Sequence, residues 1–279
     1  MDCSNHIQEL KHKGFTSVQS VLKHEEVAKV LTSVDDLERW ILTVGDPTRN
    51  ARLNLEPVDE NGVFKLRKLQ CALDVCPTMQ SLSQSDAILG TMERIAGEPL
   101  WLWEDKIHWK HGNGGTSYEW HCDYYNWFED TFGAQDFITC MLHLEDATEE
   151  NGALQVIQGS HERLEDFPTY GQTGRGETFT PGVHVPNLKD IRQTDMENSR
   201  LRGETRTTVS AKAGDLIIFG PRLQHCSGQN NSDRSRKVIF FTFSPARLGN
   251  MYLTAVHQRA VHKFVPKLHG LPNGVKWDK

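Results

Sequence analysis

His121-Cys122-Asp123 sets an imidazole and a carboxylate two residues apart. On an extended strand residues i and i+2 project to the same side, so both side chains can reach one ion. Two imidazoles and one carboxylate on one face of an octahedron leave three positions open, the arrangement suited to iron(II) that must bind a chelating co-substrate and dioxygen. The third ligand must come from a distant strand folded alongside. His225 is the candidate, following the apolar run Asp215–Phe219 and a turn at Gly220-Pro221.

A chain with 13 histidines will carry a bare H-x-D by chance, and a capped turn or surface pair is the bland reading. Context raises the signal. Arg236 stands eleven residues after His225, at the head of the run KVIFFTF. A planar guanidinium pairs with a carboxylate in a two-pronged way that lysine cannot reproduce, as the distal carboxylate of 2-oxoglutarate would require. The reading expects His225 and Arg236 on adjacent antiparallel strands, one gripping the metal and the other the far end of the co-substrate. Ser227, two residues past His225, can add a hydrogen bond to the same carboxylate. The alternative for Arg236 is a solvated charge in the DRSRK cluster.

Elements must carry these residues. After Leu100 the chain breaks into short β-branched and aromatic runs, LWLWEDKIHWK, FITCMLHLED, ALQVI, TTVSA, DLIIFG and KVIFFTF. Turn signals punctuate them at Asn151-Gly152, Gly159-Ser160 and Gly214-Asp215. Many short strands between turns predict a sandwich or barrel. Upstream, Val27, Val30, Leu31, Val34, Leu37, Trp40 and Ile41 form one apolar stripe on a helix over about 23–41. A second helix is expected from Ser85 to Ala96, with Ile88, Leu89, Met92 and Ile95 inward and Gly97 as terminator. Residues 162–205, polar and rich in Gly, Thr and Pro, are expected to form a lid.

The segments WHCDYYNW, EENGALQVIQGSH and GDLIIFGPRLQHCSGQNNSDRSRK together resemble the phytanoyl-CoA dioxygenase family of iron(II)- and 2-oxoglutarate-dependent oxygenases. Within it, YEWHCDYYNWFED is similar to the signature of ectoine hydroxylases. The resemblance covers roughly residues 8–245, including KHKGFTSVQSVLKHEEV, similar to the family's opening strand and helix. It implies a mainly β fold with flanking helices, a double-stranded β-helix of the cupin-like jelly-roll kind. It implies His121, Asp123 and His225 as iron ligands, and Arg236 and Ser227 on the distal carboxylate of 2-oxoglutarate. Lys110, Tyr118 and Thr139 match positions that contact the co-substrate in relatives, against the plainer readings of a solvated Lys, a core Tyr and an inward strand Thr. Iron(II), 2-oxoglutarate and O2 are the implied cofactors, with ascorbate in support. Retention of Asp123 argues against a halogenase, so hydroxylation is the default outcome, with desaturation or ring closure as variants.

One domain is expected over 1–279: N-terminal helices to about 97, a jelly-roll core over about 98–245 and a C-terminal extension over 246–279. The substrate end is read from Glu104 and Trp127. Glu104 aligns where ectoine hydroxylases carry a Gln that helps hold substrate, and Trp127 with an aromatic lining their substrate site. An aromatic wall with a carboxylate selects a small amine-bearing or zwitterionic metabolite; the alternative pairs Glu104 with Lys106 and leaves the substrate neutral. Alternation sets Trp101, Trp103 and Trp109 on one face as packing residues. His108 and His111 are second-rank site candidates, His143 and His161 are packing or capping residues, and His184 lies in the lid. Cys122 and Cys226 are expected to point away from the metal.

Bulk properties bound the function. With 37% hydrophobic and 24% charged residues, the composition is that of an ordinary globular chain. A net charge of -6 argues against a nucleic-acid surface, which needs clustered cations, and favours a small-molecule substrate. No apolar run approaches a membrane span and no signal peptide is indicated, so the expected address is cytoplasmic. Six scattered cysteines without C-x-x-C spacing read as reduced thiols. Two readings from other classes stand beside the oxygenase: a jelly-roll binding module without chemistry, and a cupin-type metalloenzyme that needs no 2-oxoglutarate.

Overall fold

A computed structural model describes residues 2–44, 52–56, 63–127, 135–162 and 206–252. The expected lid, with His184, and the C-terminal extension beyond Tyr252 lie outside the described residues.

The chain opens with helix α1 (Ser4–Lys13), which Gly14 ends in the left-handed conformation at φ 85°. Strand β1 (Phe15–Val18) and helix α2 (His24–Val44) follow. α2 buries Val27, Val30, Val34, Leu37 and Ile41, as the stripe predicts, but Trp40 is 54% exposed. The N-terminal third, expected as helices, also supplies strands β2 (Leu53–Leu55) and β3 (Leu66–Gln70). These runs are too short and too polar for a period-two signal, and pairing with longer neighbours makes them strands. After α3 (Pro77–Ser83) the expected second helix appears as a π-helical turn, Asp86–Gly90, leading into α4 (Thr91–Ala96). The Ser85 hydroxyl accepts the Ile88 N–H, and Gly97 caps the far end at φ 75°.

Strands β4 (Leu100–Lys110), β5 (Tyr118–His121), β6 (Ile138–His143), β7 (Leu154–Ile157), β8 (Arg206–Val209), β9 (Leu216–Phe219), β10 (His225–Ser227) and β11 (Arg236–Pro245) build the body, with α5 (Asp123–Trp127) after β5. They form a seven-stranded sheet in the order β1-β9-β6-β11-β4-β3-β2 and a four-stranded sheet in the order β5-β10-β7-β8. Every pairing is antiparallel. This is the expected jelly roll.

Two apolar clusters fix the sheets. Outside the large sheet, Ile107, Trp109, Leu142, Ile218, Ile239 and Phe241 pack with the inner faces of α2 and α4. Between the sheets, Met141, Leu154, Val156, Ile217, Phe219 and Val238 fill one part of the interior. β4 separates the two faces by alternation, with one irregularity: Thr242 pairs with Glu104 but Phe243 pairs with Leu102, so Trp103 is the extra residue of a bulge. The bulge breaks the period. Trp103 joins Trp127 and Phe137 in a small aromatic cluster, Trp109 belongs to the core under the helices, and Trp101 is 46% exposed. The three tryptophans therefore do not form the single packing face that alternation predicted.

Candidate active site

β5 and β10 are antiparallel neighbours, and their register sets His121 directly against His225. The expectation that His121 and Asp123 share one extended strand is corrected: β5 ends at His121, the chain turns at Cys122, and Asp123 opens α5. The turn is held by the Tyr124 N–H donating to the Pro221 carbonyl at 2.8 Å, which ties α5 to the approach of His225. His121 Nε2 lies 3.8 Å from Asp123 Oδ1, and the two imidazoles are 4.3 Å apart between ring centres. One ligand atom from each of His121, Asp123 and His225 lies within 4.8 Å of the others.

Each imidazole is oriented from behind. His121 Nδ1 meets the Glu119 carbonyl at 2.7 Å, and His225 Nδ1 meets the Leu223 carbonyl at 2.9 Å. A carbonyl can only accept, so both Nδ1 atoms carry the proton and both Nε2 atoms present a lone pair. Outer hydrogen bonds of this kind fix ring orientation in metal sites. The donor set fits a divalent ion of the first transition row.

His121, Asp123 and His225 line a cavity of about 640 Å³, within the range of small-molecule sites, roughly 300–1,000 Å³. Arg236, Ser227, Lys110, Tyr118, Glu104 and Trp127 line the same cavity. The expectation of adjacent strands for His225 and Arg236 is corrected: β10 lies in the small sheet and β11 in the large one, so the two residues belong to opposite walls. Arg236 is buried, not solvated, with Nε donating to the Asn151 carbonyl at 3.3 Å and an Nη to the Gly152 carbonyl at 2.7 Å. Those carbonyls fix the plane of the guanidinium. Burial pulls Arg236 down to about 10, so it stays charged at neutral pH.

Lys110, its register partner on β4, donates to Ser227 Oγ at 3.0 Å, to the Thr116 carbonyl at 3.3 Å and to the Gly228 carbonyl. Asn230 Nδ2 in turn holds the Lys110 carbonyl at 2.9 Å. Desolvation first, then the Arg236 and Arg67 charges, push Lys110 down to about 7. Tyr118 is stacked on His108 at 5.1 Å, with the Arg67 guanidinium 4.2 Å from its ring centre. Burial raises its hydroxyl to about 12, which keeps it a donor, with Arg67 as its charged neighbour.

Thr139 does not join this group. Its hydroxyl bonds that of Thr242 at 3.0 Å, and it is absent from the cavity lining. Glu104 lies mid-strand on β4, six residues before Lys110, with Lys106 Nζ 2.9 Å from Oε2 and Gln70 Nε2 3.2 Å from Oε1. Trp127 packs edge-on against Trp103 at 5.0 Å between ring centres, with the Lys106 ammonium 5.5 Å from its own. Of the second-rank histidines, His108 borders the cavity, whereas His111 Nε2 is taken up by the Leu66 carbonyl at 2.6 Å. Cys226, expected to point away, borders the cavity, with its thiol pushed up to about 11 by burial and therefore neutral. Sequence reasoning missed Gln70, Met141 and Phe240 as lining residues, and treated Lys106 only as a partner for Glu104. The i+2 alternation from Glu104 through Lys106 and His108 to Lys110 was the available signal.

Fold and donor set together define a class: a jelly-roll protein with a two-histidine, one-carboxylate metal-binding group. A family model described as phytanoyl-CoA dioxygenase matches residues 10–238, and the chain belongs to that family. It is an iron(II)- and 2-oxoglutarate-dependent dioxygenase. L-Proline trans-4-hydroxylase of Streptomyces griseoviridis is 30% identical over 193 residues, 68% of this chain and 71% of the relative. Ectoine dioxygenase of Bordetella bronchiseptica is 24% identical over 246 residues, 86% of this chain and 75% of the relative. Among solved structures, EctD from S. alaskensis with bound Fe superposes with a TM-score of 0.68 at 17% identity, covering 88% of this chain and 77% of that one. AviO1 from Streptomyces viridochromogenes Tue57 gives 0.64 at 18% identity, with 87% and 95% covered. Among the described residues no helix is long and apolar enough to cross a membrane.

Proposed function

We propose that this enzyme, read as one domain over 1–279, hydroxylates an unactivated C–H bond of a small metabolite, with His121, Asp123 and His225 as its iron ligands. Arg236, Ser227, Lys110 and the Tyr118 hydroxyl hold the distal carboxylate of 2-oxoglutarate. Iron held by these three ligands would, with 2-oxoglutarate, supply dioxygen activation, in which one oxygen atom would go to the substrate C–H bond and the other to the succinate formed with loss of carbon dioxide. The chain's own residues perform the rest. The carbonyls of Glu119 and Leu223 hold the imidazoles in their ligating tautomer, and those of Asn151 and Gly152 hold the guanidinium in plane. Met141, Leu154, Val238 and Phe240 keep that part of the cavity apolar.

The observation that carries this reading is the convergence of three ligand atoms, within 4.8 Å of one another, on a cavity that also contains a buried arginine. Arg236 and Lys110 weigh against a cupin-type enzyme without 2-oxoglutarate, because two buried cations side by side are costly without an anion to meet them. The amine-bearing substrate expected from Glu104 would have to displace Lys106 from that carboxylate, so the geometry favours a substrate suited to the pair.

Anaerobic addition of iron(II) and 2-oxoglutarate is expected to develop the visible charge-transfer band of the chelate, and His225→Ala or Asp123→Ala to abolish it. Under air, screening L-proline, ectoine and other small metabolites for succinate release above the uncoupled rate should identify a substrate. A product that gains one oxygen marks hydroxylation; one that loses two hydrogens marks desaturation or ring closure. A protein that binds neither iron(II) nor 2-oxoglutarate is a binding module, and the reading is wrong.

A further inference from the structure

Resting on the functional reading above, we infer that Lys106, held by Glu104, is the residue that receives the substrate, and that the substrate bears a carboxylate.

β3, β4 and β11 turn one face to the cavity, and their register makes a lattice of it. Lys110 pairs with Arg236, Lys106 with Phe240 and Gln70, and Glu104 with Thr242. Lys110 and Lys106 are four residues apart, about 13 Å along a strand. A five-carbon diacid held at Arg236 and Lys110 cannot span that length and also reach Lys106. The far end of the cavity, around Glu104, Lys106, Gln70, Trp127 and Phe240, is left for the substrate.

The charge available at that end is the cation. Glu104 is 2% exposed and both its oxygens are engaged, one by Lys106 and one by Gln70. Lys106 is more open, with 13% of its side chain accessible, and borders the cavity. Its ammonium lies 5.5 Å from the Trp127 ring centre and 5.6 Å from that of Phe240. An ammonium has three N–H donors. Among the described residues its one anionic contact is the ion pair with Glu104 at 2.9 Å, and aromatic faces supply attraction without hydrogen bonds. The remaining donors, largely screened from water, suit an anionic oxygen on a ligand. Glu104 is a positioning residue here: it holds Lys106 extended between the rings.

The test uses full-length enzyme loaded anaerobically with iron(II) and 2-oxoglutarate, and reads perturbation of the visible band by small amino and organic acids, each beside its carboxamide. At least one acid is expected to perturb the band and to bind roughly tenfold or more tighter than its amide. Lys106→Met should remove that preference, Lys106→Arg should restore most of it, and Glu104→Gln should weaken it without reversing it. Circular dichroism and thermal melts of each variant separate misfolding from lost recognition. Equal binding of acid and amide, a panel in which no acid perturbs the band, or a folded Lys106→Met that keeps the preference overturns the inference. Absence of any band in the parent enzyme instead overturns the functional reading beneath it.

Discussion

At the scale of single residues, the site places two cations together and relies on backbone to keep them there. Arg236 and Lys110 are register partners, and neither has a carboxylate bonded to it among the described residues. Arg236→Lys keeps the charge but not the fork, and is expected to cost about 2 kcal/mol of 2-oxoglutarate binding, roughly a 30-fold rise in the co-substrate's dissociation constant. Calorimetry on the anaerobic iron(II) protein checks it. Lys110 offers a second prediction. Desolvation and its cationic neighbours hold it down to about 7, so the free enzyme loses this charge as pH rises through neutrality. An incoming carboxylate favours the charged form and raises that value. Affinity for 2-oxoglutarate should therefore be full below about pH 7 and fall above it, with a logarithmic slope near minus one until the bound-state value is passed. Lys110→Met should bind more weakly and flatten the profile, whereas a parent profile flat from about pH 6 to 9 would exclude Lys110 from the contact.

At the scale of elements, turns and bulges decide where side chains arrive. Gly152, in the turn before β7, has φ +74°, and an added Cβ would meet the Gly228 carbonyl oxygen at 2.5 Å and Lys110 Cδ at 2.9 Å. Its own carbonyl accepts from Arg236. Gly152→Ala should therefore cost at least about 1 kcal/mol in backbone strain alone, lower the thermal midpoint by roughly 3 °C or more, and weaken 2-oxoglutarate binding. Gly159→Ala is the matched control: its φ is +76°, but the nearest atom to a new Cβ is the His12 carbonyl oxygen at 3.8 Å. It should lose stability with little change in co-substrate affinity. On β4 the bulge at Trp103 does comparable work, bringing that ring against Trp127 beneath the substrate end of the cavity.

At the scale of the whole molecule, the sheets close over groups that cannot titrate freely. His143 is fully buried on β6, and neither ring nitrogen has a hydrogen-bond partner among the described residues. Desolvation, assisted by the Arg236 charge, holds it down to about 3 against an ordinary value of 6.5. Between those values the unfolded chain takes a proton that the fold refuses. The contribution is thus intact above pH 6.5 and is lost as pH falls toward 3. His143→Leu, which removes both orphan nitrogens, is expected to be nearly neutral or stabilising at pH 7 and to melt with a shallower pH dependence from about 6.5 to 4. Parallel curves for the two proteins would show that His143 does not contribute to acid lability.

The sequence alone determined the ligand types, because H-x-D, a distant His and an Arg eleven residues on are chemical identities that survive any folding. It also determined the long elements: α2, and β4 from Leu100 to Lys110, carry enough apolar or β-branched residues for their period to show. Only the tertiary structure decided the rest. The short strands β2, β3 and β10 exist through their neighbours, since three to five residues of mixed polarity carry no period of their own. The walls on which His225 and Arg236 sit, the turn that brings Asp123 back to His121, and the capture of Glu104 by Lys106 and Gln70 all depend on register between segments far apart in the chain. A one-residue change in register exchanges every inward side chain for an outward one, so no local pattern could have fixed which charge faces the cavity.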